Sequence, residues 1–357
     1  MKKNHLFAIG LCILILASCS KNEIPAPPQS GPAKGLYVLS EGSFGQNNTR
    51  LGLYDINNNQ FTGNYFAQQN PAFPLGLGDT GNDLLLYGGK LYIVMNVSSY
   101  VMVINPVTGK FIDSISFRTG AGLPKYPRNA AAYGNYIFVT SSDGTVSAID
   151  TLSLAITHST PVGLNADGIV AANDKLYVTN SGPFTSGYDS TISVINPYNF
   201  TETERIVVGK NPVGIAADES GNIYISCQGD YATHGPSLVK LNTASLSITK
   251  IADTATSVIK YFNGSLYALG GFLGSPHPRK LSIVDFSAQS ANFITDGTPL
   301  ISPYNITIDP QNENVYIADA KDYVSAGEVF CFDKNGKKKF SFSTSPGVNP
   351  SKIVFIR

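Results

Sequence analysis

Short apolar runs separated by Gly, Pro, Asn and Asp recur along the chain, and residues 174–221 show the repeating unit most clearly. An apolar run at 176–179 is followed by a polar, Gly-rich loop and an alternating run at 191–196. After a tight Asn196-Pro197 turn come a run at 203–208, a loop at 209–212 and an apolar run at 213–217. Runs of this length that are rich in β-branched and aromatic residues are typical of strands. The pattern predicts four short strands per unit.

The unit recurs along the chain, and an apolar residue next to a Tyr marks the start of each second strand. The copies lie roughly 40 to 55 residues apart, a spacing typical of propeller blades. A second marker follows each copy, namely an alternating third strand at 51–56, 101–105, 145–150, 191–196, 238–242, 281–285 and 329–333. The sequence therefore predicts an all-β, seven-bladed β-propeller with four-stranded blades. The first markers are Leu36-Tyr37, Leu91-Tyr92, Tyr136-Ile137, Leu176-Tyr177, Ile223-Tyr224, Leu266-Tyr267 and Val315-Tyr316.

The two ends of the repeat array complement each other. Residues 352–356 match the first strand of a blade with no second strand after them, whereas residues 35–38 match a second strand with no first. Pairing the two would remove the open edges of the array. We expect the C-terminal strand to close the ring against the N-terminal blade, so that residues 35–357 form one domain.

The N-terminus has the features of an export signal. Two lysines precede a short apolar core at 6–16, and Leu16-Ala17-Ser18-Cys19 resembles the bacterial lipobox. We expect a signal peptide at 1–18, lipidation of Cys19 and a flexible Pro- and Ser-rich tether at 19–34. The alternative is an ordinary signal peptide with a chance Cys. Residues 20–23 partly match the surface-export signal of Bacteroidetes lipoproteins, which favours a surface-exposed outer-membrane lipoprotein over one that faces the periplasm.

The composition is that of an exported β-protein rather than a nucleic-acid-binding one. The chain holds 34 Gly and 21 Pro, and only 14% of its residues are charged. The charges of its 25 basic and 25 acidic residues cancel, and removal of Lys2 and Lys3 with the signal peptide leaves 23 basic against 25 acidic residues. A nearly neutral surface argues against nucleic acid as a partner. Cys227 and Cys331 fall in different units, which favours free thiols over a disulfide.

Loop lengths indicate where function lies. Connections between first and second strands, and between third and fourth, are tight turns such as Gly88-Gly89, Asn173-Asp174 and Asn335-Gly336. Those on the opposite face are long, at 42–48, 67–81, 118–128, 181–190, 228–236, 271–279 and 320–327. Long loops on a rigid frame usually carry binding residues. We therefore expect the site on the long-loop face.

The long loops carry aromatic side chains, and the ends of the second strands carry polar ones. Rings beside Gly, Ser and Asn form adaptable contact surfaces, and amides and carboxylates can hydrogen-bond a polar ligand across the pore. The alternatives are that the rings only cap the blades and that the rim holds only water. The candidate ligand-binding residues are Glu41, Phe44, Asn96, Tyr126, Asn180, Phe184, Gln228, Tyr231, Phe272, Asp319 and Tyr323.

No catalytic or metal-binding motif is recognisable, so we predict no catalytic residue, no resident metal and no cofactor. His158, His234 and His277 are too scattered for a zinc site. The acids Glu41, Asp143, Asp230, Asp319 and Asp322 would form a central calcium site only if their oxygens converged on one point. A calcium-dependent hydrolase resembling propeller lactonases therefore stays open as an alternative.

The Tyr-marked repeats resemble the YncE-like propellers over residues 35–357. The opening residues 35–44, GLYVLSEGSF, and the closing stretches VYIADAKDY, GEVF and DKNGK resemble the surface-exposed Bacteroides propeller lipoproteins that capture vitamin B12. This resemblance implies a corrinoid ligand and a TonB-dependent outer-membrane transporter as partner. The leading hypothesis is a non-enzymatic, monomeric binding protein for a corrinoid or another large nutrient. The other alternative is a protein-interaction scaffold of the envelope.

Overall fold

The computed structural model describes residues 31–183, 187–254, 256–270, 278–282 and 292–357, which form seven antiparallel sheets in a ring. The first blade contains β4 (Gly81–Tyr87), β5 (Lys90–Met95), β6 (Tyr100–Ile104) and β7 (Phe111–Ser116). The second contains β8 (Pro127–Tyr133), β9 (Tyr136–Ser141), β10 (Thr145–Asp150) and β11 (Ile156–Pro161), and the third β12 (Ala166–Ala172), β13 (Lys175–Asn180), β14 (Thr191–Asn196) and β15 (Thr201–Val207).

The remaining blades continue in chain order. The fourth contains β16 (Pro212–Ala217), β17 (Ile223–Cys227), β18 (Ser237–Leu241) and β19 (Ile248–Ala252), and the fifth contains the described strands β20 (Thr256–Phe262), β21 (Ser265–Gly270) and β22 (Arg279–Ser282). The sixth contains β23 (Pro303–Ile308), β24 (Val315–Asp319), β25 (Ala326–Phe332) and β26 (Lys338–Val348). The seven-bladed β-propeller that the sequence predicts is confirmed.

The ring closes through strands from both ends of the chain. The closing blade has the order β27 (Pro350–Ile356), β1 (Gly35–Ser40), β2 (Arg50–Asp55) and β3 (Gln60–Thr62). In it β27 runs antiparallel to β1, with Val38 opposite Ile353 and Leu36 opposite Phe355. The predicted closure is therefore confirmed, and β1 lies between two hydrogen-bonded neighbours.

The Tyr markers pack one blade against the next. Tyr37 of the closing blade lies in a buried cluster with Leu84 and Leu91 of the first blade. In the same way Tyr92 of the first blade shares a buried cluster with Ile137 of the second, and Tyr316 of the sixth blade shares one with Leu36 of the closing blade. In the second blade, whose marker is reversed, Phe138 takes the place of the Tyr. The marker recurs because every junction between blades needs one large side chain to fill the space between two sheets.

The Asn or Asp at the end of most third strands caps the following turn. The Asn105 Oδ1 accepts hydrogen bonds from the backbone N–H groups of Val107 and Thr108, at 2.9 and 3.0 Å. The Asp333 Oδ1 accepts the N–H groups of Asn335 and Lys337 in the same way. These short side chains satisfy turn donors that no strand can pair.

The two faces of the ring differ as expected. Gly88 and Gly89 join β4 to β5 with φ of 55° and 72°, and a type I′ hairpin turn requires positive φ at both positions. We call the face with these hairpins the turn face, and the face with the longer connections the loop face. One expectation needs correction, because part of the 67–81 loop lies away from the loop face. The short helix α1 (Tyr65–Gln69) buries Phe66 in the cluster between the closing and first blades, and Asn70 hydrogen-bonds the Gly109 carbonyl at the turn face.

Cys227 and Cys331 are both buried and unpaired, which confirms the expectation of free thiols. Burial raises the pKa of the Cys227 thiol to about 12 and that of Cys331 to about 11. Within the described ranges, no helix has the length and apolar character needed to cross a membrane.

Candidate functional site

The first strands of the seven blades surround a channel along the ring axis. Near the loop face this channel widens into a cavity of about 570 Å³, which Glu41, Gln228 and Tyr231 line from the surrounding loops. A volume of this size lies within the usual range for small-ligand sites. The cavity is the candidate binding site because backbone from every blade and side chains from several loops converge on it.

An ion pair crosses one side of the cavity. The Arg128 guanidinium of β8 lies 2.9 Å from the Asp167 carboxylate of β12, and the Asn129 amide donates a 2.7 Å hydrogen bond to the same carboxylate. The charge of Asp167 raises the pKa of Arg128 above its usual value, against an opposing effect of burial. These two charges largely neutralise each other, so this wall is polar but carries little net charge.

A carboxylate and a phenol meet on another side. The Tyr304 hydroxyl of β23 donates a 2.7 Å hydrogen bond to Glu41 Oε2, at the end of β1. Burial raises the pKa of Glu41, although the Tyr304 hydrogen bond and the positive charges of Arg128 and Lys352 oppose that rise. Burial and the neighbouring Glu41 charge raise the pKa of Tyr304. The hydroxyl therefore stays protonated and acts as a donor.

The predicted aromatic residues lie at the loop face where the structure describes them. Tyr231 lines the cavity, is 56% exposed, and packs edge-on against Tyr188 at 5.8 Å between ring centroids. Tyr323 packs edge-on against Tyr304 at 5.9 Å. Tyr126, just before β8, and Phe44, in the β1–β2 loop, are exposed. Phe184, Phe272 and the predicted lipidation residue Cys19 lie outside the described residues.

The predicted polar residues divide into two groups. Glu41 and Gln228 line the cavity, and the Gln228 amide donates a 2.5 Å hydrogen bond to the Thr256 carbonyl. Asn96, Asn180 and Asp319 do not line the cavity and hold neighbouring loops instead.

Each of these three side chains has partners within the protein. Asn96 donates to the Pro127 carbonyl at 2.9 Å, and Asn180 donates to the Thr191 and Ser193 hydroxyls. The Asp319 carboxylate accepts the backbone N–H groups of residues 301, 302 and 321. Direct ligand contact by these three residues stays a prediction.

The five acids considered for calcium engage separate partners. Glu41 bonds Tyr304 and Asp319 bonds backbone amides, as above, while Asp143 lies 3.7 Å from the Lys125 ammonium. Asp230 accepts N–H groups of its own loop, and so does Asp322. No three His, Cys, Asp or Glu side chains cluster as metal ligands within the part of the chain that the structure describes.

Six residues that line the cavity were not among the site residues predicted from the sequence. Five are charged and one is a tyrosine: Asp83, Arg128, Asp167, Lys260, Lys352 and Tyr304. All six lie in first strands. One signal was available, since the third residues of β4, β8, β23 and β27 are Asp83, Asn129, Asn305 and Lys352, whereas the third residues of β12 and β16 are glycines. The third residue of β20 is Val258, so this position is polar in four of the seven copies. Comparison across the copies would have singled out Asp83 and Lys352, but not Arg128, Asp167, Lys260 or Tyr304.

The fold and site define the class of the protein as a seven-bladed β-propeller with an axial channel open to a face of long loops. Residues 34–355 match the profile of a family described as a domain of unknown function, DUF5074. The chain belongs to that family. A search of curated protein sequences finds no match.

Solved structures that share the fold include the following two. The crystal structure of a quinonprotein alcohol dehydrogenase-like protein from Bacteroides thetaiotaomicron VPI-5482 superposes with a TM-score of 0.66 at 16% identity, covering 90% of this chain and 78% of that one. Hydrazine synthase from Kuenenia stuttgartiensis superposes with a TM-score of 0.51 at 15% identity, covering 70% of this chain and 74% of that one. At such identities the likeness concerns the fold alone.

Proposed function

We propose that this propeller captures a large, partly apolar nutrient at its loop face without chemical conversion, and that the nutrient is a corrinoid such as vitamin B12. The observation that carries the proposal is the distribution of exposed large hydrophobic side chains among the described residues. Nine lie in loop-face connections, against four in turn-face connections. The nine are Phe44, Leu75, Leu123, Tyr126, Leu164, Tyr231, Ile301, Tyr323 and Val324, and the four are Val107, Leu152, Tyr198 and Leu246.

The chemistry of the loop face suits a corrinoid. Such a ligand is a broad disc with an apolar body and a fringe of amides, so it would lie across the mouth of the cavity. Exposed rings would contact its body, because aromatic side chains give large contact area at low entropy cost. Gln228, Glu41 and the Arg128–Asp167 pair would supply donors and acceptors for the amide fringe.

Titration calorimetry with cyanocobalamin tests this proposal on the full chain in mild detergent. We expect one-to-one binding that Tyr231→Ala weakens by about tenfold, since loss of one aromatic contact costs about 1–2 kcal/mol. Tyr198→Ala is the matched control, because Tyr198 is also exposed, at 68%, but lies on the turn face. It should bind like the wild type. No heat, together with no coloured protein on gel filtration, would exclude the corrinoid.

We also propose that the protein is a lipoprotein of the outer membrane, attached through Cys19, that passes its ligand to a TonB-dependent transporter. The lipobox-like residues 16–19 and the tether that follows support the anchor. Labelled palmitate should enter the wild-type protein and not the Cys19→Ala variant. Equal labelling of both would refute the anchor without touching the binding proposal.

A further inference from the structure

The channel has a charged level below the candidate site. A second cavity of about 210 Å³ lies toward the turn face. Five residues line both cavities, and we call them the waist: Asp83, Leu84, Lys260, Asn305 and Lys352. They come from β4, β20, β23 and β27, so the waist exists only in the closed ring.

The waist contains two ammonium groups, Lys260 and Lys352, and one carboxylate, Asp83. The Lys352 Nζ lies 3.2 Å from Asp83 Oδ1 and donates a 3.3 Å hydrogen bond to Asn129 Oδ1. Asp83 in turn accepts the backbone N–H groups of Leu84 and Ala130, each at 2.9 Å. Asp83 is therefore fully engaged, and within the waist the two ammonium groups exceed the single carboxylate by one positive charge.

That surplus charge belongs to Lys260. Its ammonium has no hydrogen bond or ion pair with any described residue, whereas every other charged group that lines the cavities is held by a partner. Water reaches the Lys260 side chain along the channel, although the inner strands surround it. This enclosure, with repulsion from Lys352 and partial compensation by Asp83, lowers the pKa of Lys260 to about 8. The group is still mostly protonated at neutral pH.

Asn305 adds a second unsatisfied group at the same level. Its Oδ1 is buried without a hydrogen-bond partner. A turn of the amide would direct its NH₂ group, two donors, into the channel instead. A buried polar atom without a partner is uncommon in folded proteins, and here it belongs to a residue that lines the same two cavities as Lys260.

We propose that the waist binds an oxyanion, either a carboxylate or a phosphate group, between Lys260 and Lys352. The anion would supply the missing negative charge and accept hydrogen bonds from Lys260, with the Asn305 amide as a further donor. Near the loop face Arg128 is paired with Asp167, and Glu41 accepts a hydrogen bond from the neutral Tyr304 hydroxyl. The inference does not depend on the corrinoid, because any ligand with an anionic arm, or a free anion, would satisfy it.

The test uses inorganic phosphate and acetate as probes on the full chain in mild detergent, at pH 7 and constant ionic strength. Binding of phosphate is measured by ³¹P line broadening and binding of acetate by saturation-transfer NMR. We expect saturable binding of at least one probe. Lys260→Met, which keeps the aliphatic stem, should weaken it at least tenfold, whereas Lys260→Arg should stay within about threefold because the charge is kept.

Lys110→Met is the matched control, since Lys110 is exposed in a turn outside the channel. It should bind like the wild type. Saturable binding of one probe only assigns the group as phosphate or carboxylate. No saturable binding, equal binding in Lys260→Met and wild type, or an equal loss in Lys110→Met would overturn the proposal. Circular dichroism checks the fold, and Lys260→Gln replaces the Met variant should that one fail to fold.

Discussion

Closure of the ring makes Ile353 a core residue, although it lies only four residues before Arg357. Ile353 is 6% exposed, lies opposite Val38 of β1, and shares a buried cluster with Leu36, Val38 and Tyr316. Truncation of such a side chain costs about 2–5 kcal/mol, from lost burial and the remaining cavity. For a domain of this size the change corresponds to a fall in Tm of roughly 3–10 °C. We therefore expect Ile353→Ala to destabilise the whole propeller.

Urea unfolding followed by far-UV circular dichroism measures the effect, since the chain has no Trp to serve as a fluorescence probe. Ile301→Ala is the matched control, because Ile301 is 65% exposed, and it should change stability by less than about 0.5 kcal/mol. A double-mutant cycle with Val38→Ala should give a coupling of about 0.5–1 kcal/mol, typical of a cross-strand pair. Equal effects of Ile353→Ala and Ile301→Ala, or strict additivity with Val38→Ala, would refute closure through this pair.

Three further predictions concern single groups. Because the pKa of Lys260 is lowered to about 8 in the folded protein, the unfolded chain binds this proton more tightly. The resulting loss of folding stability is complete below pH 8 and fades as the pH rises toward 10.5. Urea midpoints at pH 7–10 should rise less with pH in Lys260→Met than in the wild type, and parallel curves would contradict this. Asn105→Ala should cost about 1 kcal/mol by removing the acceptor of two turn N–H groups, and Asn105→Asp much less; equal urea midpoints for the two would refute the cap. Cys227 and Cys331 should react with a thiol reagent only in urea, because both are buried and their pKa values are raised; rapid reaction of the native protein, absent from the Cys227→Ser/Cys331→Ser variant, would refute the burial.

The features of the fold that recur were predictable from the sequence. Tyr92 and Tyr316 are separated by more than half the chain, yet each fills the junction between two neighbouring blades. Because the same residue type recurs at the same place in each repeat, the sequence alone identifies them. The Asn and Asp residues at the ends of third strands are visible for the same reason. Because the turns and junctions are equivalent from blade to blade, they require the same residue types in each copy of the repeat.

The polar site residues were less predictable, because a polar residue at a strand end has two possible roles. Asn180 and Asp319 lie at ends of second strands, where they satisfy hydroxyl or backbone partners of nearby loops. Glu41 and Gln228 occupy the same strand ends and line the cavity. Only three-dimensional packing separates these cases. Lys352 and Asp83 are likewise far apart along the chain, and only ring closure brings their charges to 3.2 Å.

The arrangement of charge in the channel separates two recognition tasks. Near the loop face Arg128 is paired with Asp167 and Glu41 is hydrogen-bonded to Tyr304, so that level suits a ligand that is polar at its edge and apolar in its body. The waist below carries an unpaired cation and suits an anionic group. Tyr231→Ala should therefore weaken binding of a large ligand and leave phosphate binding unchanged. Lys260→Met should weaken phosphate binding and leave unchanged the binding of a large ligand that has no anionic arm. We expect a ligand that loses affinity in both variants to span both levels, with an apolar part at the loop face and an anionic extension at the waist.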